Sequence, residues 1–136
     1  MKEIVFRQHA AVRAFDILDG ELAIDGTKLS HLAERAGQTP FYAYSRSAIA
    51  RQVSGLRAQL PAALQLHYAI KANPMPAVVQ LLSGLTDGLA VASAREMKTA
   101  LDTGIAPARV SFAGPGKSAG EIRQAVAAGI VLNLES

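Results

Sequence analysis

Residues 64–76 read Leu-Gln-Leu-His-Tyr-Ala-Ile-Lys-Ala-Asn-Pro-Met-Pro, and this stretch decides the fold. Leu64, Leu66, Tyr68 and Ile70 alternate with Gln65, His67 and Ala69, which is the two-residue period of a β-strand. Asn73-Pro74-Met75-Pro76 then makes a stiff turn. Pro76 suits the first turn of a helix that runs to about Ser83 and closes at Gly84. Downstream the same alternation repeats. Gly88–Ala92 is a short apolar strand, and Ser93-Ala-Arg-Glu96 has the spacing of a capping box, Ser at the N-cap and Glu at N3. The helix it opens buries Met97, Ala100 and Leu101 and stops at Gly104. Arg109–Ala113 is the next strand and Gly114–Lys117 a loop. Ser118-Ala-Gly-Glu121 repeats the capping pattern for a helix carrying Ile122, Ala125 and Val126 as far as Gly129, and Ile130–Leu134 is a last strand.

The strand centres fall near residues 67, 90, 111 and 132. Strands joined by helices are parallel, with right-handed crossovers. Two architectures remain: an open doubly wound sheet, or part of a (β/α)8 TIM barrel. Uniform short βα units favour the barrel, which takes ~250 residues and eight strands. The 136 residues offer about four units, so the expectation is the N-terminal part of a barrel.

Upstream the pattern is less regular. The first 20 residues have weak periodicity. Glu21–Leu29 reads as a strand, an Asp-Gly turn and a return. Ser30 is expected to cap a short helix ending at Ala36, with Gly37 beyond it, and Thr39-Pro40 to open an aromatic strand, Phe41–Tyr44. Ser45 or Ser47 caps a helix to Leu60, on which Ile49, Val53, Leu56 and Leu60 share one face. The chain is therefore read as an N-terminal segment, 1–38, with short strands and a helix, followed by a partial barrel, 39–136.

Composition excludes several classes. Half the residues are hydrophobic and 18% charged, too apolar for disorder. Alanine, at 26 residues, fills the place of aromatics, which are only 5%. No apolar run approaches the ~18 residues of a membrane span. The N-terminus has no hydrophobic leader core and carries Glu3, which reads as a cytoplasmic protein. Absence of cysteine excludes disulfides, thiolate metal sites and a cysteine nucleophile. The net charge of +3 is spread over scattered basic residues, which reads as a mildly basic surface rather than a nucleic-acid patch. The three histidines, at 9, 31 and 67, lack metal-ligand spacing, so no metal site is expected. Gly114-Pro-Gly-Lys-Ser118 falls short of a phosphate-binding P-loop, because the required upstream glycine is Ser111.

Lys71 directly follows the first strand and continues the phase of Gln65, His67 and Ala69. The carboxyl end of a parallel strand is where barrel and open α/β sites form. From spacing alone, Lys71 reads either as a site lysine or as the strand's exit into solvent, and spacing favours the exit. His67 reads as a packed histidine before it reads as a site residue. A lysine in a semi-buried pocket forms Schiff bases with carbonyls.

Tyr68-Ala-Ile-Lys-Ala-Asn73 resembles the pyridoxal-phosphate lysine motif of the fold-type III decarboxylases, the ornithine/diaminopimelate/arginine decarboxylase family. Further blocks carry the resemblance from about Gly20 to Ser136: Gly37–Tyr44, Leu89–Glu96, Val110–Lys117 and Leu132–Ser136. The wording is nearest to the subgroup associated with bacterial exosortase and exopolysaccharide gene clusters. The resemblance implies a PLP-binding barrel of the alanine racemase-like type. It also implies pyridoxal 5'-phosphate held by Lys71 as a Schiff base, Glu96 and Asn73 near the cofactor, decarboxylation of a small amino-acid substrate, and a homodimer. Neither a membrane nor a nucleic acid is an implied partner. At two positions the sequence departs from that family: Ala90 stands where an Asp is usual, and Arg95 where a Gly is frequent. Two other readings are a non-catalytic decarboxylase-like protein acting through dimerisation and a racemase-like barrel. The Gly114–Lys117 block argues against the racemase.

Overall fold

The computed structural model describes residues 15–135, which form two compact units, up to Ser54 and from Gly55.

In the first unit, β1 (Asp16–Leu18), β2 (Glu21–Ile24) and β3 (Thr27–Lys28) form an antiparallel meander. Leu18 pairs with Glu21 and Ile24 with Thr27, so each hairpin turns on two residues, Asp19-Gly20 and Asp25-Gly26. All four turn residues have φ between 49° and 78°, the geometry that matches the twist of a hairpin and that Asp-Gly accepts. Helix α1 (Leu29–Ala36) follows and ends at Gly37. Ser30 is not its N-cap. That position is Lys28, which makes no side-chain cap bond, and the Ser30 amide and hydroxyl both donate to the Glu21 carboxylate on β2. The Ser30 amide is the main cause holding the Glu21 carboxyl below its ordinary value.

The expected aromatic strand is absent. Phe41–Tyr44 is outside any ladder, and Tyr42 is 91% exposed. Strand propensity needs a neighbour to pair with, and this run forms no ladder with any described strand. Helix α2 (Arg46–Gln59) is capped as expected by Ser45, whose Oγ accepts from the Ala48 amide at 2.9 Å and donates to Asp25 Oδ1 at 2.6 Å. Hydrogen bonds from the Ser45 and then the Ser47 hydroxyl bring the Asp25 carboxyl down to about 2.

The second unit is a four-stranded parallel sheet in the order β4 (His67–Ala69), β5 (Gly88–Val91), β6 (Val110–Phe112), β7 (Val131–Leu132). Helices α3 (Pro76–Ser83), α4 (Ala94–Leu101) and α5 (Ala119–Ala128) make the crossovers. Spatial order follows chain order with no reversal, which is barrel-type winding; a doubly wound sheet reverses at its switch point. Pairing is in register from His67↔Gly88 to Ala69↔Ala90, and from Leu89↔Val110 to Val91↔Phe112.

One cluster forms the core. The sheet contributes Leu89, Val91, Val110 and Phe112, and the helices Val79, Met97, Ala100 and Ala125. The amino ends of the strands are tied by charge. The Asp87 carboxylate accepts from the Leu66 amide at 2.6 Å and pairs with Arg57, and these two, in that order, lower its pKa. Arg109 Nε donates to the Asp87 carbonyl at 2.6 Å. Gly88 is required here: a Cβ would lie 2.5 Å from the Arg109 carbonyl and 2.5 Å from the His67 ring. No helix among the described residues is long and apolar enough to cross a membrane.

Candidate active site

The carboxyl ends of β4, β5 and β6, with the segment after β7, enclose a cleft of about 310 Å³. Ala69, Ala90, Ala92 and Ala113 line it with methyl groups, and Lys71, Glu96 and Glu135 supply the charges. Ala69 and Ala90 are register partners, so the second strand presents a methyl group beside the first.

Lys71 does not extend the strand. β4 ends at Ala69, and Ile70–Ala72 is one turn of 3-10 helix. The turn is pinned from both sides. The Ile70 side chain is fully buried, its carbonyl accepts from the Asn73 amide at 3.0 Å, and the Tyr68 hydroxyl donates to the Asn73 carbonyl at 3.1 Å. The Asn73 side chain accepts from the Met75 amide at 3.0 Å. These bonds fix the backbone on both sides of an exposed lysine that still lines the cleft with Ala69. Asn73 is not one of the lining residues; it shapes the turn. His67 packs at the opposite end of β4, against Gly88.

Glu96 reaches the cleft through helix capping. Ser93 Oγ accepts from the Glu96 amide at 3.2 Å, but the Glu96 carboxylate passes the cap residue and accepts from the Ala92 amide at 2.8 Å. Glu135 mirrors this from the other side, accepting from the Gly114 amide at 2.8 Å. Sequence reasoning missed Glu135. The signal was present, since it stands three residues beyond β7 as Lys71 stands two beyond β4, but a charged residue near a chain end reads as solvated. Lys117 sits just before the Ser118 cap of α5. Its side chain is only 9% exposed and Nζ donates to the carbonyls of Gly114 at 2.6 Å and Asn133 at 2.8 Å. Among the described residues no group of three or more His, Asp or Glu could hold a metal ion.

A lysine thus stands at the mouth of a parallel sheet wound in chain order, the arrangement of part of an α/β barrel, over a floor of methyl groups. Residues 46–136 match the family described as pyridoxal-dependent decarboxylase, pyridoxal binding domain, and the chain belongs to that family. Pyridoxal phosphate is the cofactor this membership assigns, and the cleft fits it: its volume suits a small aromatic ligand, its floor has no bulky side chain, and its lysine stands at the rim. The chain is 41% identical over 119 residues to diaminopimelate decarboxylase of Aquifex aeolicus, covering 87% of this chain and 28% of that one. It is 37% identical over 124 residues to the Pseudomonas aeruginosa diaminopimelate decarboxylase, covering 90% and 30%. Among solved structures, diaminopimelate decarboxylase of M. jannaschii superposes with a TM-score of 0.78 at 28% identity, over 94% of this chain and 31% of that one. The chain thus spans less than a third of the length of these relatives.

Proposed function

We propose that this chain is the lysine-bearing, N-terminal portion of a pyridoxal-phosphate-dependent amino-acid decarboxylase, and that Lys71 Nζ holds the cofactor's aldehyde. The observation that carries this is the placement of Lys71 at a pinned turn over the methyl-lined cleft, in a chain of the pyridoxal-dependent family. When bound, the cofactor supplies an electrophilic carbonyl and an electron-accepting ring. The residues present orient it. Lys71 fixes one edge, the alanine floor leaves room for the ring, and Glu96 and Glu135 keep two anions at the rim, where a cationic group is favoured.

The relatives named diaminopimelate decarboxylase support a small amino acid as substrate. The wording of the sequence blocks supports the exosortase-associated subgroup, with a role linked to exopolysaccharide. A cytoplasmic homodimer completes the reading. Since the chain spans less than a third of those relatives, we take it to be inactive by itself. Incubation with pyridoxal phosphate, borohydride reduction and peptide mapping should place the pyridoxyl label on Lys71, with no carbon dioxide released from diaminopimelate or ornithine. A label on another lysine sinks the site assignment; turnover by the chain alone sinks the claim of inactivity.

A further inference from the structure

We infer that Lys117 is a positioning residue that sets the wall of the cleft formed by Gly114 and Glu135. Its cation is placed as a clasp between two strand ends. It lies 5.5 Å from the centroid of the Phe112 ring, at the end of β6. It donates to the Gly114 carbonyl, in the loop after β6, and to the Asn133 carbonyl, after β7. The Glu135 carboxylate lies 3.9 Å away on the same side. A nine-tenths buried ammonium is costly unless its donors are used, so these two carbonyls hold it in one place, and it in turn holds them.

The consequence reaches the cleft through one further bond. Gly114 and Glu135 both line it, and the Gly114 amide donates to Glu135 Oε1 at 2.8 Å. With the Gly114 carbonyl anchored by Lys117, its amide is presented to the carboxylate. The Coulomb attraction of Lys117 acts on the same oxygen. Besides the bond between Gly114 and Glu135, the segment after β7 is tied to β6 by the short ladder and by the Asn133 amide, which donates to the Phe112 carbonyl at 3.0 Å. Lys117 is not itself among the residues that line the cleft, so it acts through Glu135 and Gly114. The effect on cofactor binding rests on the function proposed above; the effect on the wall does not.

Two measurements separate these levels. An amide bonded to a carboxylate is protected from solvent exchange, so the hydrogen exchange of the Gly114 amide, followed by its 15N–1H signal, reads the wall without any cofactor. Equilibrium binding of pyridoxal phosphate, followed by absorbance, reads the cleft. In the chain as it stands, Lys117→Met should speed solvent exchange of the Gly114 amide and weaken pyridoxal phosphate binding, each about tenfold, the worth of one charge-assisted hydrogen bond. Lys98→Met, which removes an exposed lysine paired with Asp102, should change neither. Where Lys117→Met does not fold, Glu135→Gln gives the same two readouts with the cation left in place, and the same losses are expected. A folded Lys117→Met with unchanged Gly114 exchange overturns the inference. So does unchanged binding in Glu135→Gln, or an equal loss in Lys98→Met. If the parent chain binds no pyridoxal phosphate, the functional proposal fails while the Gly114 signal still decides the role of Lys117.

Discussion

The connections β5–α4 and β6–α5 begin their helices with one four-residue pattern, Ser-x-x-Glu, and put the glutamate to different work. In both, the serine hydroxyl accepts from the glutamate amide, at 3.2 Å for Ser93 and 3.3 Å for Ser118. Glu121 closes its box, accepting from the Ser118 amide at 3.0 Å, and its second oxygen accepts from the Ala94 amide at the start of α4, also at 3.0 Å. One carboxylate thus caps two helices. Glu96 instead extends past its own cap to Ala92 and lines the cleft. The neighbour's carboxylate serves the first turn of α4, and Glu96 serves the strand end. A capping motif fixes where a helix starts; the destination of its glutamate depends on what the adjacent unit already supplies.

The contrast breaks most severely beneath the second loop. Phe112 is 1% exposed and its ring lies under Lys117. Phe112→Ala should cost ~3–5 kcal/mol, the range for a buried aromatic. A denaturant titration checks it, and a cost no larger than that of losing a helix cap would show that the loop does not depend on this platform.

The two caps themselves differ less. Ser118 uses its hydroxyl twice, accepting from the Glu121 amide and donating to Glu121 Oε2 at 2.9 Å, whereas Ser93 makes only the accepting bond to Glu96. Each Ser→Ala change should cost about 1 kcal/mol, with Ser118→Ala the larger. Paired thermal melts decide it; equal losses would erase the distinction between the closed and the open box.

The smallest effect is on pH dependence. The amides of Ser118 and then Ala94 hold the Glu121 carboxyl below its ordinary value of 4.5. A lowered folded value means that the stabilisation is complete above 4.5 and disappears as pH falls through the lower value. Glu121→Gln should therefore be less stable than the parent near neutrality, and the gap should close on acidification below 4.5. Chemical denaturation from about pH 6 to about pH 3 tests this, and a gap that stays constant would mean that the carboxylate charge contributes nothing to the cap.

Much of the barrel portion was legible because its signals are local. Capping serines, Pro76 and the glycines after α4 and α5 set the helices within a residue or two, and apolar runs between them could only be strands. Three readings failed. Ser30 lost its capping role to Glu21, which lies nine residues away in sequence and adjacent across the hairpin. Phe41–Tyr44 has strand composition without a partner. Lys71 sits in a 3-10 turn because the buried Ile70 and the Asn73 bonds curl the chain before the alternation expires. The first two turn on pairing with other segments, whereas the turn at Lys71 is set by bonds within residues 68–75, which the two-residue alternation overrode in the reading. Glu135 and Lys117 belong with the first two, since the wall they form is assembled from two strand ends about twenty residues apart.

A sheet laid down in chain order asks each strand to find only its immediate predecessor. The pairs His67↔Gly88, Leu89↔Val110 and Ser111↔Val131 each close a loop of about twenty residues, and loop-closure entropy rises only slowly with length. No strand must wait for a later one to be inserted beside it. Ribosomes deliver about 5–20 residues per second, so each finished strand is a template for the next within seconds of its emergence. The same winding that brings Lys71, Glu96 and Glu135 to one rim therefore allows the sheet to grow by stepwise addition during synthesis.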